Sequence, residues 1–316
     1  KKINFKDAFN FIKNAPSLGL TFESQVKIAQ QLFLEKLDSK KTTRRRTFQA
    51  KISFDLFMSS LKKNLPDISF FFTNHVASSM HRYWPALFPL DYKDLDYNEE
   101  WINDWKGEIP YAIEEVEREL SHLVKFVQKN KKYKLLIVSS MGQAAVQEKI
   151  AAKTQVVIVN IKKFMNSLGF IDHTWLKKPA MVPLYMISIK DEYEKKFIDC
   201  VNNLRINNKK IRFEKVSQNL YRIKLSIVNQ KSVNIEYFKK SYSPESFGIV
   251  NVKLQDAAAS NAYHIPEGTL LVYGSESSNK NLNSLSKIST IDIAPSILKN
   301  FNLEIPSYMS KDTFNI

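Results

Sequence analysis

The chain has 316 residues, room for one large α/β domain or two smaller ones, and its 44% hydrophobic content supplies an ample core. A net charge of +15, from 47 Lys and Arg against 32 Asp and Glu, reads either as an anionic partner or, the favoured alternative, as excess lysines spread over solvated faces. The single cysteine, Cys200, excludes an internal disulfide and a thiolate zinc site.

No run approaches the roughly eighteen apolar residues of a membrane span, and no signal-peptide pattern opens the chain. A reduced, cytoplasmic setting is expected. Lys40-Lys41-Thr42-Thr43-Arg44-Arg45-Arg46 is the one basic cluster, expected in a loop between helices. Without interleaved aromatics it disfavours nucleic acid. The expected partner is an anionic small molecule or a glycan phosphate. The seven glycines form no Walker or dinucleotide pattern.

In chain order, apolar residues recur at helical spacing over 3–14 and 22–37 (Val26, Ile28, Ala29, Leu32, Phe33), separated by Pro16 and Gly19. Ile52, Phe54, Phe57, Met58 and Leu61 predict a further helix ending before Pro66. Ile68 to Phe72 is a short apolar run bounded by polar residues, the pattern of a strand buried on both faces. Pro110, the glutamates after it and Lys129, Lys131 and Lys132 mark a helix over 110–130. Residues 134–140 and 156–159 read as two more buried strands. Strand, long crossover and strand make a mostly parallel sheet flanked by helices the expected α/β fold. Residues 183–253 alternate in short segments, predicting a small antiparallel or α+β insertion. A strand at 268–274 and a helix near 289–298 follow. The expected division is a helical region 1–66, an α/β core of 67–175 and 250–316, and an inserted cap of 176–249.

Three predicted strand ends carry polar groups, where ligands bind in open α/β sheets. They are Asn74 to Arg82 (with His75, Ser78, Ser79 and His81), Ser139 to Gln143, and Asp256 to His264 (with Tyr263).

Together these segments resemble the alkaline-phosphatase superfamily, in particular its type I phosphodiesterase and nucleotide pyrophosphatase group. His81-Arg82-Tyr83-Trp84 is similar to the end of an Asp-x-x-x-His segment. Ser139-Ser140-Met141-Gly142-Gln143 stands where Ser-Asp-His-Gly-Met is expected, and His264-Ile265-Pro266-Glu267-Gly268 is similar to a His-x-x-x-Gly segment. Asp292-Ile293-Ala294-Pro295-Ser296-Ile297-Leu298, followed by Ile305-Pro306, is similar to the terminal Asp-x-Ala-Pro-Thr-x-Leu motif. The resemblance runs from about residue 50 to the end, with an insertion at about 175–255.

The resemblance implies a hydrolase or transferase for a phosphate- or sulfate-bearing substrate. His75, His81, His264 and Ser79 are then the catalytic candidates, and Asn74, Arg82, Ser140 and Tyr263 the substrate contacts. It also implies a divalent metal, Zn or Mn, with His81, His264 and Asp256 as the ligands that remain. The departures point elsewhere. Ser140-Met141 stands in place of Asp-His, Ala77 in place of a ligand Asp, and neither a hydroxyl nor a thioether suits such a dication. No Asp-bearing strand with a following nucleophile occurs in residues 1–50, so such a segment is expected to precede Lys1 or to be missing. The alternatives are a metal-free protein or a catalytically inactive relative serving as a binding or scaffolding domain.

Overall fold

The computed structural model describes Asn10 and residues 13–95, 97–147, 152–180, 182–254, 261–274 and 287–316. The predicted helix over 3–14 lies almost wholly outside them. The chain forms two compact units, one of Lys1–Lys149 with Ser260–Ile316 and one of Ile150–Ala259.

The first unit is mainly helical. Helix α1, Phe22–Leu37, starts at Thr21, whose hydroxyl accepts the Ser24 N–H. Thr21 is itself anchored, donating both N–H and hydroxyl to Asp55 Oδ2 at 2.9 Å. Gly19 makes the approach in the left-handed region (φ +95°), with Ser59 so close that a Cβ would meet it at 2.5 Å. A 3-10 turn, Ser39–Arg44, leads to α2, Arg45–Asn64. The basic cluster thus folds into a turn and a helix start, and three of its cations are engaged by carboxylates. Lys40 pairs with Asp104, Arg44 with Glu108 at 2.8 Å, and Arg45 with Glu35 at 2.5 Å.

Helices α3, His75–Leu87, α4, Glu99–Trp105, and α5, Glu108–Lys129, complete the layer. Pro110 sits in the first turn of α5, where its missing N–H breaks no helical bond. Two small cores hold the layer together. Phe54, Met58, Leu61, Phe126 and Val127 form one, and Tyr83, Ala86, Trp105 and Ile109 the other. Tyr83 stacks on Trp105 at 5.1 Å.

The expected mostly parallel sheet does not form. Among the described residues every sheet has two to four strands, and the pairings are antiparallel. In the first unit β1, Lys134–Ser139, pairs with β4, Thr269–Gly274, and β2, Gly142–Ala145, pairs with β3, Ala262–Ile265. An apolar run specifies burial but neither partner nor direction. Here β1 and β4 pair with each other antiparallel, and the exposed Val138 and Leu271 stand on opposite faces of the ribbon.

The predicted strand at 68–72 is also corrected. The segment joins no sheet. Phe71 alone turns inward, 5.5 Å from Phe54 and 5.2 Å from Phe57, while Phe70 and Phe72 are 79% and 84% exposed. The helix predicted near 289–298 appears as a 3-10 turn, Thr290–Asp292, continuing into α6, Ile293–Asn300.

The second unit has the larger apolar core, with Phe164, Phe170, Phe197, Ile187, Ile223, Ile235 and Phe247 fully buried. Two four-stranded antiparallel sheets and the pairing of 154–158 with 249–253 surround it. Along Leu184–Ile189 burial alternates residue by residue, putting Tyr185, Ile187 and Ile189 inside. Cys200 is buried in the helix Glu194–Asn202. No helix among the described residues is long and apolar enough to cross a membrane.

Candidate functional site

Helix α3 carries both histidines of the first polar segment, and its geometry separates them. Six residues at about 100° each place His75 and His81 some 120° apart around the axis. His75 enters the interface with α5. Its Nδ1 lies 2.7 Å from the Thr73 hydroxyl and its Nε2 3.2 Å from the Ala112 carbonyl, which makes it a buried, satisfied histidine. Burial holds its pKa below the usual value. Ser79, one turn on, is buried on the same side. Asn74 is the exposed residue before the helix. Neither His75 nor Ser79 is brought to His81.

His81 faces β2 and β3. Its Nδ1 is 2.5 Å from the Ala262 carbonyl. A carbonyl only accepts, so Nδ1 carries the proton and Nε2 the lone pair. The Gln143 amide nitrogen is 3.2 Å from that Nε2. Gln143 and His264 are direct cross-strand partners. The exposed His264 ring meets His81 edge to face at 4.9 Å, and the Tyr263 ring lies 5.9 Å away. Burial, helped by His264 and Arg82 and opposed by the bond to Ala262, lowers the His81 pKa. His81 is therefore a neutral imidazole near pH 7, oriented through Nδ1, with its basic nitrogen toward Gln143.

The strand start is tied to α3 by Asn261, which is 1% exposed. Its backbone N–H donates to the His81 carbonyl at 2.6 Å, and its side-chain amide donates to the Arg82 carbonyl at 3.0 Å. Tyr92 Oη donates to the Asn261 carbonyl at 2.7 Å. Burial, with Asp91 and Tyr97 nearby, drives the Tyr92 pKa well up, so the phenol keeps its donor proton.

The turn after β1 leaves Ser140 exposed, while Ser139 Oγ donates to the Met141 carbonyl at 2.6 Å. Glu267–Gly268 crosses this turn closely. A Cβ on Gly268 would overlap the Ser139 carbonyl, and one on Gly142 would stand 2.7 Å from the Glu267 carbonyl. Close backbone approach accounts for both glycines.

His81, His264, Tyr263 and, by sequence neighbourhood, Arg82 are thus the candidates the structure gathers, and Asp256 lies outside the described residues. The donor set does not suit Zn or Mn. Both ring nitrogens of His81 are engaged, and among the described residues no three His, Cys, Asp or Glu side chains gather to hold an ion. Sequence reasoning singled out neither Gln143 nor Asn261 as site residues. Pro85, four residues after His81, was the available signal that an α3 carbonyl needs an outside donor. Comparison of the chain with protein-family models, curated proteins and solved structures finds no match.

Proposed function

We propose that the chain is a hydrolase or transferase acting on a phosphate- or sulfate-bearing small molecule or glycan at the His81–His264 pair. One observation carries the reading: His81 is fixed by Ala262 as a neutral base, with a second imidazole 4.9 Å away. In this reading Nε2 of His81 takes the proton from an attacking water or hydroxyl as Gln143 swings aside. His264, open to solvent, returns a proton to the leaving oxygen. Tyr263 gives the substrate an aromatic wall, and Arg82 contributes positive charge beside the anion.

The resemblance to the alkaline-phosphatase superfamily supports the substrate class through the order of its motif segments; the sheet topology lends no support. A cytoplasmic setting belongs to the same proposal. The internal pairing of Lys40, Arg44 and Arg45 favours a small anion over nucleic acid.

Ligand binding without turnover is the second reading. It is favoured by the Gln143 amide held against the basic nitrogen and by Ser140-Met141 where the resemblance leads one to expect Asp-His. Turnover of p-nitrophenyl phosphate, phosphodiester and sulfate esters, with and without added Zn or Mn, tests the first reading. Loss in both His81→Ala and His264→Ala supports catalysis. Absence of turnover with phosphate or sulfate binding by calorimetry, weakened in the same variants, supports the second. Activity unchanged in both variants would overturn the site.

A further inference from the structure

Helix α1 is amphipathic the wrong way round for an isolated chain. Its buried positions are Ser24 and Gln31, with the Gln31 amide donating to the Lys41 carbonyl at 2.7 Å and to Glu35 at 3.0 Å. Beside exposed Glu23, Gln30 and Lys36, several outward positions are apolar: Phe22 is 80% exposed, Phe33 61%, Leu37 70% and Val26 39%. At about 100° per residue, Phe22, Val26, Ala29, Phe33 and Leu37 fall within about 80° of arc, one continuous stripe. Scattered exposed apolar residues are ordinary, whereas an aligned stripe of this kind marks an interface.

We propose that this stripe is a self-association surface, on which a second copy of the chain lays its own α1 antiparallel. The residues are self-complementary in that direction. The spacing of Phe22, Val26, Ala29 and Phe33 reads four, three, four from either end. Reversal therefore brings Phe22 onto Phe33 and Val26 onto Ala29 of the other copy. Large side chains meet at the two ends and small ones at the centre, where the helices approach most closely. Gln25 and Gln30 flank the centre, so no like charges oppose there, and the Glu23 carboxylate comes within reach of the opposite Gln30 amide. Antiparallel helices also set their dipoles head to tail, and the contact is isologous, closing at two subunits. The phosphate-site reading plays no part in this inference.

Sedimentation velocity on the full chain tests the proposal. The wild type is expected to dimerise, and Phe33→Glu to weaken association at least about tenfold, with its circular dichroism unchanged. Because Cys200 is buried, an introduced cysteine is the accessible thiol. Ala29→Cys is expected to cross-link through a short bismaleimide. Phe22→Cys is not, its two copies lying about 16 Å apart along the antiparallel axis. A wild-type monomer would overturn the proposal, including one in which Phe33→Cys resists maleimide because another part of the chain covers it. So would a dimer untouched by Phe33→Glu, or cross-linking at both positions, which marks a parallel pair.

Discussion

The carbonyl of His81 accepts the backbone N–H of Asn261 at 2.6 Å because Pro85, four residues further along α3, has no N–H to offer it. An imino acid inside a helix thereby creates the docking point for β3, and β3 carries Ala262, Tyr263 and His264 to the His81 ring. Replacing Pro85 by Ala supplies a competing helical donor. The Asn261 amide is expected to exchange faster with deuterium in Pro85→Ala, while the helix content rises slightly. Asn261→Ala removes the bond to Arg82 and leaves buried acceptors unpaired, which costs about 1–3 kcal/mol. Urea unfolding would show it, together with weaker phosphate binding.

The fixed tautomer of His81 has a direct spectroscopic consequence. Nitrogen-15 spectra of the imidazoles are expected to show the proton on Nδ1 and a titration midpoint below 6.5. The folded state disfavours the charged ring, so this group's stabilising contribution is complete above 6.5. It falls away as pH drops through the lowered folded value. Turnover should decline on the same acid limb. Gln143→Glu puts a carboxylate beside Nε2 and should move the midpoint upward. A proton found on Nε2 would contradict the assigned geometry.

His75 and Ser79 separate packing from chemistry. His75→Gln breaks contacts to Thr73 and Ala112 inside the α3–α5 interface and is expected to lower the unfolding midpoint. Ligand affinity of the folded protein should stay as it was. A variant with wild-type stability and lost turnover would return His75 to the site.

Helices were legible because they announce themselves locally. Pro110 and the charges after it marked α5, and the short alternating segments within 183–253 marked antiparallel strands there. Sheet direction and partners were not legible, since Leu135 to Val138 carries the same letters in a parallel or an antiparallel pair. The run at 68–72 shows the limit most sharply. Its composition demands burial, yet only Phe71 finds a pocket, between Phe54 and Phe57. At the site, the three polar segments were found as polar groups at predicted strand ends, and the two that carry histidines meet at His81 and His264. Gln143 and Asn261 were missed because their roles arise from cross-strand register and from a carbonyl that Pro85 sets free, which no local pattern encodes.

The helical layer also holds a charge cluster with measurable consequences. Lys51 is 1% exposed and donates to Glu115 at 2.8 Å, where Arg118 Nε also donates at 2.8 Å. Lys51→Met leaves Glu115 with Arg118 alone and removes one charged hydrogen bond, so it is expected to destabilise by about 1–3 kcal/mol. Lys51→Met with Glu115→Leu should recover part of that loss in a double-mutant cycle by chemical denaturation.

Glu119 is left over from the same cluster. Lys51 and Arg118 both donate to Glu115, Asp55 accepts from Thr21, and Glu119 Oε1 is buried without a hydrogen-bond partner. An ionised Glu119 would be an uncompensated buried charge. Burial, with the Glu115 carboxylate adding to it, pushes its pKa up to about 7. The folded state thus holds this proton more tightly than the unfolded chain does. The resulting stabilisation is complete below about pH 4.5, declines as pH rises and is gone above about 7. Glu119→Gln mimics the protonated form at every pH. The variant should match the wild type at pH 4 and exceed it by about 1–3 kcal/mol at pH 8, measured by urea unfolding followed through tryptophan fluorescence. His75 and His81 titrate in the opposite sense in both proteins, so the difference between variant and wild type isolates Glu119. A constant difference across that pH range would show that the carboxyl is already ionised, with a counter-charge supplied from elsewhere.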